Sequence, residues 1–158
     1  MSDPSLIWSL KPFNKLTINE LYKILQLRSE VFVVEQTCVY QDIDGYDDQC
    51  FHLLGFAEID GETEIVAYLR IVPPGIKYTE ASLGRVVVKA SCRKFGYGKK
   101  LIAQSLKECK TALNYGDVRI SAQKYLERFY TSFGFSSVGD IYDEDGIPHI
   151  EMLRVLPN

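Results

Sequence analysis

The stretch from Ser82 to Ala122 constrains the fold more than any other part of the sequence. Ser82 to Val88 ends in three β-branched residues and predicts a strand, and apolar positions at helical spacing predict a helix from Gly98 to about Tyr115. Val118 to Ala122 is again apolar and β-rich. A strand, a helix and a second strand in this order predict a right-handed crossover, so the chain must contain a sheet that a helix covers.

Segments on both sides of this crossover extend the predicted sheet. Strands are predicted at Leu6 to Leu10, Cys50 to Ile59, Glu64 to Val72, Phe135 to Tyr142 and His149 to Val155. Helices are predicted from about residue 18 to the low thirties and from Leu126 to Phe133. This order indicates an α/β fold (α+β by some schemes), with a mixed, largely antiparallel sheet flanked by helices. With 158 residues, we expect one domain over residues 1–158.

The first long helix has the strongest local start signal. Thr17 is a suitable N-cap, and Glu20 three residues later completes a capping box. Leu16 and Leu21 occupy the positions of a hydrophobic staple around the same cap. The helix is therefore expected to begin at residue 18, and a polar loop follows it at residues 36–49.

Composition excludes several classes of partner. The four cysteines are widely spaced, without a C-x-x-C pair, which is typical of reduced thiols rather than a disulfide framework. Cys50 and His52 have no second pair of ligands at metal spacing, so we expect no metal. The start at Met1 to Pro4 lacks the features of a signal peptide, no apolar run is long enough to cross a bilayer, and the net charge is −3. We expect a cytoplasmic protein without a membrane or nucleic-acid partner.

The loop between the crossover's first strand and its helix is the most informative segment for function. Gly96 and Gly98 stand among the cations Arg93, Lys94, Lys99 and Lys100, directly before the predicted helix. A helix start of this kind offers unpaired backbone N–H groups and a positive dipole end, which suit a pyrophosphate. The spacing fits neither G-x-x-x-x-G-K-[ST] nor G-x-G-x-x-G. The alternative is a basic helix cap whose glycines serve only the turn.

Two motifs resemble a known family. Arg93-x-x-Gly96-x-Gly98 after a β-branched strand resembles the acetyl-CoA signature of the GNAT superfamily of N-acyltransferases. The run Phe129 to Phe135, with Tyr130 and Gly134, resembles that superfamily's next signature. The sequence resembles the ElaA-like branch of that superfamily along most of the chain, at Leu27 to Gln36, Gly84 to Val88, Ser121 to Gln123 and Glu144 to Met152. Gln123 and Leu126 stand where many members have Asn and Ala, so contacts of that asparagine are not carried over.

The resemblance implies an N-acetyltransferase that passes the acetyl group of acetyl-CoA to a primary amine, either a small amine or a lysine or N-terminal amine of a protein. It implies acetyl-CoA as cosubstrate, with no metal. The backbone of the glycine loop would hold the pyrophosphate, and the strand before it would pair with the pantetheine arm. The implied cofactor-binding residues are Val86, Val87, Val88, Arg93, Lys94, Phe95, Gly96, Tyr97, Gly98, Lys99 and Tyr130.

The reaction needs an acid and a base. The resemblance assigns Tyr130 as the acid that protonates the leaving thiolate; without it, Tyr130 would be a core aromatic between Phe129 and Phe133. A base must deprotonate the amine, whose ordinary pKa is about 10.4. We rank Glu35 first, His149 second and His52 third.

The roles of several other charged and aromatic residues remain open. Arg85 lies among apolar residues, so we expect it to pair with a carboxylate, and Glu35 is one candidate. The acidic segments 42–48 and 140–145 either attract a cationic amine or are solvated loops. Tyr40, Tyr46 and Tyr142 are candidates for an aromatic wall beside the substrate.

Two alternatives to an enzyme of this family remain at this point. One is the same fold retaining acetyl-CoA as a ligand without turnover, and the other is an unrelated α/β protein that binds phosphate or a nucleotide. The sequence is compatible with a monomer or a homodimer.

Overall fold

The computed structural model describes residues 4–156. Met1 to Asp3, on which the expectation about a leader partly rests, lie outside the described residues. The strands are β1 (Ile7–Pro12), β2 (Phe51–Ile59), β3 (Glu62–Val72), β4 (Ser82–Val88), β5 (Val118–Gln123), β6 (Ser136–Glu144) and β7 (Ile147–Arg154). The α-helices are α1 (Ile18–Arg28), α2 (Tyr97–Thr111) and α3 (Glu127–Thr131). The predicted order of strands and helices is confirmed.

The strands form two sheets rather than the single sheet that the sequence predicts. The first has the order β1-β2-β3-β4 and the second β5-β7-β6, and every pairing within them is antiparallel. One isolated parallel bridge, between Ala81 and Val118, joins β4 to β5 at their N-terminal ends. Beyond that bridge the facing edges of the two strands are not paired with each other, and this leaves room for a ligand between the sheets.

Helix α1 begins as predicted and ends differently. The capping box is confirmed: Glu20 N donates to Thr17 Oγ1 at 3.0 Å, and Thr17 N donates to Glu20 Oε1 at 2.9 Å. After Arg28 the chain continues as a wider π-helical segment, Ser29–Glu35, instead of the continuous α-helix expected into the low thirties. This segment is rich in β-branched residues, which are weak α-helix formers, and π turns are frequent at functional sites.

Helices cover the first sheet on both faces. Because side chains alternate across a strand, Leu53 and Leu69 face α2 whereas Leu54 and Tyr68 face α1. The α2 side joins the inner face of the second sheet through Tyr130, Phe135, Ile150 and Met152. The two central strands, β2 and β3, therefore bury both faces, which accounts for their continuous apolar runs.

Gly55 on β2 is required for the approach of β1. Trp8 is its partner in register, and a Cβ at Gly55 would lie 2.9 Å from Trp8 Cζ3 and 3.2 Å from Ala67 Cβ. We predict that Gly55→Ala lowers the free energy of unfolding by about 1–3 kcal/mol because the indole must move. Urea unfolding measures the change.

Gly116→Ala is the matched control, because a Cβ there meets nothing within 4 Å. Its free energy of unfolding should stay within about 0.5 kcal/mol of the parent or rise slightly. Equal effects of the two substitutions would contradict the steric role of Gly55.

Candidate active site

A cleft of about 600 Å³ opens where β4 and β5 part. One wall is the strand Leu83 to Val88, and the facing wall is Ile120 to Gln123 with Tyr130. The edge of β4 that faces the cleft has no strand partner beyond Ala81, since β3 pairs only with its other edge. Such an edge presents free backbone N–H and C=O groups to an extended ligand.

The glycine loop lies at the end of β4 and leads into α2. Ala90–Phe95 forms 3₁₀ turns, and Gly96 ends them with a left-handed φ of 72° before α2 begins at Tyr97. Lys94, Lys99 and Gly96 are exposed at this helix start. The arrangement leaves the first N–H groups of a 15-residue helix beside exposed cations, as an anion site requires.

The loop's aromatic residues serve the core rather than the exposed face. Tyr97 is fully buried, and its hydroxyl donates to the carbonyl oxygen of Pro4. Phe95 packs against Tyr97, with their ring centroids 5.5 Å apart. Only the backbone of Tyr97 is therefore left for a ligand, and its side chain anchors the start of α2 to the N-terminal segment.

Tyr130 is buried at the cleft on the short helix α3. Its ring packs edge-on against Phe129 and Phe135, at centroid distances of 5.2 and 5.9 Å. Within residues 4–156 its hydroxyl has no hydrogen-bond partner. Burial, with a smaller contribution from Tyr125, raises the pKa of Tyr130 to about 12, so the phenol is protonated at neutral pH and can donate.

Glu35 pairs with Arg93 and not with Arg85. Its carboxylate oxygens accept from Arg93 Nη1 and Nη2 at 2.9 and 2.7 Å. Arg93 Nε also donates to the carbonyl of Val88 at 3.3 Å. The predicted Glu35–Arg85 pair is thus wrong, because Arg93 of the glycine loop occupies both carboxylate oxygens of Glu35. A predicted base and a predicted pyrophosphate residue are therefore paired in the lining of the cleft.

The two histidines have different environments. His149 lines the cleft, with Nδ1 2.7 Å from the carbonyl of Ile147 and Nε2 3.1 Å from Glu144 Oε2. Both ring nitrogens face oxygen atoms, so one of these contacts must open before a ring nitrogen can face an amine substrate. His52 is fully buried between Tyr68 Oη and the carbonyl of Asp47. Burial lowers the pKa of His52, which fits a neutral structural residue.

Three of the four carboxylates in the acidic segment 42–48 are engaged by arginines, contrary to both expectations, and only Asp48 is exposed. Asp47 Oδ1 accepts from Arg28 Nη1 and Arg70 Nη1, at 2.8 and 2.9 Å. Asp42 Oδ2 accepts from Arg28 Nε at 2.9 Å, and Asp44 Oδ2 accepts from Arg70 Nη2 at 2.6 Å. Both arginine side chains are 1 % exposed, so the carboxylates cover buried cations. We call Asp42, Asp44 and Asp47 the carboxylate lid.

Arg85 belongs to the same network and reaches the cleft. Its Nη2 donates to the carbonyl of Asp42 at 2.9 Å, and its guanidinium lies 5.5 Å from the Tyr40 ring centroid. Arg85 Nε is 2.8 Å from Asp42 Oδ1 but is not aligned for a hydrogen bond. Sequence reasoning missed the inner members, Arg28 and Arg70, although an arginine within the apolar run of β3 is itself a signal of a buried ion pair.

The predicted aromatic wall is present only in part. Tyr40 lines the cleft, whereas Tyr46 packs under Lys77 outside it, 5.1 Å from ring centroid to Nζ. Tyr142 stacks on His149 and hydrogen-bonds to Ser121 behind the lining residues. The second acidic segment does reach the cleft, through Glu144 and Asp145.

Comparisons with known proteins identify the architecture. The model of the acetyltransferase (GNAT) domain matches residues 30–156. A UPF0039 protein of Synechocystis sp. is 43% identical over 152 residues, which cover 96% of this chain and 97% of the relative. Protein ElaA of Escherichia coli strain K12 is 41% identical over 93% of this chain and 95% of its own. The crystal structure of an acyl-CoA N-acyltransferase from Pseudomonas aeruginosa superposes with a TM-score of 0.84 at 41% identity, over 94% of this chain and 99% of that one.

Within residues 4–156, none of the helices combines the length and the apolar composition that a membrane crossing requires.

The carboxylate lid makes stability depend on pH in the acid range. Burial alone would raise the pKa of Asp47, but hydrogen bonds and charge from Arg28 and Arg70 outweigh it, so the pKa lies below the ordinary 3.8. The unfolded chain then binds the proton first, and stability that is complete above about pH 4 is lost as the pH falls. We predict a decline in the free energy of unfolding of up to about 1.4 kcal/mol per pH unit from this group.

Urea unfolding between pH 5 and pH 2 measures this decline. Asp47→Asn should be less stable at pH 7 and show a shallower slope, because it has no proton to bind. A slope in the variant as steep as in the parent would show that Asp47 does not carry the acid sensitivity.

Proposed function

The chain belongs to the GNAT family of acyl-CoA N-acyltransferases, in its ElaA-like branch, and we propose that it transfers the acetyl group of acetyl-CoA to a primary amine. The observation that carries the proposal is the unpaired edge of β4, which leads into the glycine loop at the start of α2. Family membership removes the alternative of an unrelated nucleotide-binding protein. The acceptor is a small amine or a lysine or N-terminal amine of a protein.

The glycine loop holds the pyrophosphate in this proposal. The N–H groups of residues 93–99 donate to phosphate oxygens, and Gly96 and Gly98 let the backbone come close. Lys94 and Lys99 add charge from exposed positions. The fit is supported by Gly98, where a Cβ would meet Phe129 Cζ only at 3.9 Å, so its lack of a side chain is not explained by core packing.

The open edge of β4 binds the pantetheine arm. The backbone of Val86 to Val88 pairs with the arm's amides as an added strand would. An N–H near Val88 then polarises the thioester carbonyl and stabilises the charge that develops on its oxygen. Tyr130 lies across the cleft and gives its proton to the departing thiolate.

Glu35 is the first candidate for the base and His149 the second. Glu35 is engaged with Arg93, so it becomes available when a phosphate oxygen takes over the guanidinium. The Glu35–Arg93 pair is about four-tenths exposed on both sides, so exchanging its partner costs little. In this arrangement binding of the cosubstrate prepares the base for the amine.

Acetyl-CoA should stabilise the protein before any acceptor is known. At a hundredfold excess over its dissociation constant, a ligand adds about 2.7 kcal/mol, which raises the melting temperature of a domain of this size by roughly 5–10 °C. Thermal unfolding with acetyl-CoA, with ATP as the control nucleotide, measures the shift. A rise with ATP as large as with acetyl-CoA, or no rise with either, would contradict the proposed cosubstrate.

Replacing Tyr130 separates binding from turnover. Tyr130→Phe should keep the affinity for acetyl-CoA within about threefold and lower kcat by about a hundredfold or more, because only the proton donor is removed. CoA release with a reactive amine measures kcat, and the thermal shift measures binding.

Tyr22→Phe, at an exposed position on α1, is the matched control and should leave both quantities unchanged. If Tyr130→Phe retains the parent kcat, Tyr130 is not the acid. If neither the parent nor the variant releases CoA, the alternative of a binding module without turnover stands.

A further inference from the structure

The ion-pair network at the cleft carries an excess of positive charge. Its cations are Arg28, Arg70, Lys77 and Arg85, and its carboxylates are Asp42, Asp44 and Asp47. Four positive charges against three negative ones leave one positive charge in excess. Arg70 Nε is buried and has no hydrogen-bond acceptor among residues 4–156.

The unused donors lie at the cleft. Lys77 Nζ makes no hydrogen bond with any residue of the described chain, and its nearest carboxylate oxygen, Asp44 Oδ2, is 3.7 Å away. Arg85 Nη1 likewise has no hydrogen-bond acceptor in residues 4–156, since only Nη2 is used. Both side chains line the cleft, at 35 % and 20 % exposure.

The backbone at Arg85 is strained. Arg85 has a φ of 53°, a left-handed conformation that non-glycine residues rarely adopt within a strand. The pairing of β3 with β4 shifts register around it, between Tyr68 and Arg70. Strain of this kind persists where the surroundings enforce it, and it concentrates at functional sites.

Lys77 is an unfavourable place for a charge unless an anion comes to it. Burial, and then repulsion by Arg70, lower the pKa of Lys77, and Asp44 only partly compensates. A negative ligand group at Lys77 would offset the repulsion by Arg70 and so favour the charged form of Lys77.

The same cleft carries negative charge at another place. Glu144 and Asp145 line it at the turn between β6 and β7, and the Asp145 carboxylate has no partner among residues 4–156. The other acidic lining residues have partners: Glu35 pairs with Arg93, Asp44 with Arg70, and Glu144 contacts His149. The cleft therefore offers an acidic region for an ammonium group and a basic region for an anion.

Resting on the proposed function, we propose that the acceptor is an amino acid or a close relative, whose amine is acetylated while its carboxylate accepts hydrogen bonds from Lys77 Nζ and Arg85 Nη1. A carboxylate matches the single excess charge. A phosphate monoester carries about −1.5 to −2 and would exceed it. Neither a lysine side chain nor an alkyl diamine supplies the anion.

Matched sets of acceptors test this inference. Each set offers one amine as the free amino acid, its primary amide, the decarboxylated amine and the aminophosphonate, with small, basic, acidic and aromatic side chains. For the preferred set, we expect the amino acid to exceed the amide and the decarboxylated amine in kcat/KM by about 10- to 100-fold, the effect of losing one charge-assisted interaction. Equal use of the decarboxylated amines, or preference for the phosphonate, overturns the inference and leaves the proposed function standing.

Variants at Lys77 assign the preference to the residue. Lys77→Met should reduce the ratio of amino acid to decarboxylated amine by about tenfold, and Lys77→Arg should restore much of it. Lys15→Met, at an exposed lysine away from the cleft, should leave the ratio at the parent value. An unchanged ratio in Lys77→Met overturns the assignment.

Calorimetric titration of the free amino acids into the CoA-loaded protein separates the two proposals. Binding that weakens in Lys77→Met supports the carboxylate site even where no CoA is released from acetyl-CoA, and that result would count against the proposed function alone. If none of the amino acids binds, the inference fails whatever the amines do.

Discussion

The fold around the cleft depends on one carboxylate oxygen that two buried arginines share. Asp47 Oδ1 accepts from Arg28 at the end of α1 and from Arg70 in the middle of β3. These bonds fix the loop that follows the π segment to α1 and to β3. The loop itself has little apolar surface to bury against either element. Buried ion pairs add little net stability, but removing one partner is costly, so they select one arrangement of the loop over others. The positions of the cleft walls therefore depend on this arrangement of the loop.

The elements with strong local signals were predictable, and the ion pairs were not. The capping box at Thr17 and Glu20 depends on residues three apart, and the crossover from β4 to β5 depends on periodicity within each element. Asp47 and Arg70 are 23 residues apart, and no local pattern states that they meet. Composition alone therefore predicts a solvated or substrate-attracting loop at residues 42–48, whereas Asp42, Asp44 and Asp47 pair with arginines.

The division of the sheet was also beyond reach of the sequence. Periodicity places β4 and β5 side by side, and the bridge at Ala81 shows that they do begin as neighbours. Whether the two strands stay paired beyond the bridge depends on the side chains and helices that pack around them. Those contacts belong to the tertiary structure and leave no local pattern in the sequence. The position of the glycine loop between β4 and α2 was predictable because the motif is local. The partner of Glu35 was missed because Arg93 reaches it from 58 positions away.

The exposed backbone of β4 has a consequence for the behaviour of the chain in a crowded solution. An unpaired strand edge is a template on which other chains can pair, and most proteins hide or interrupt such edges. Here the edge is recessed, with the residues of β5 and α3 facing it across the cleft. A slender extended molecule fits this space, whereas a second sheet would have to force the two halves of the fold apart. The fold thus keeps an edge open for recognition while withholding it from aggregation.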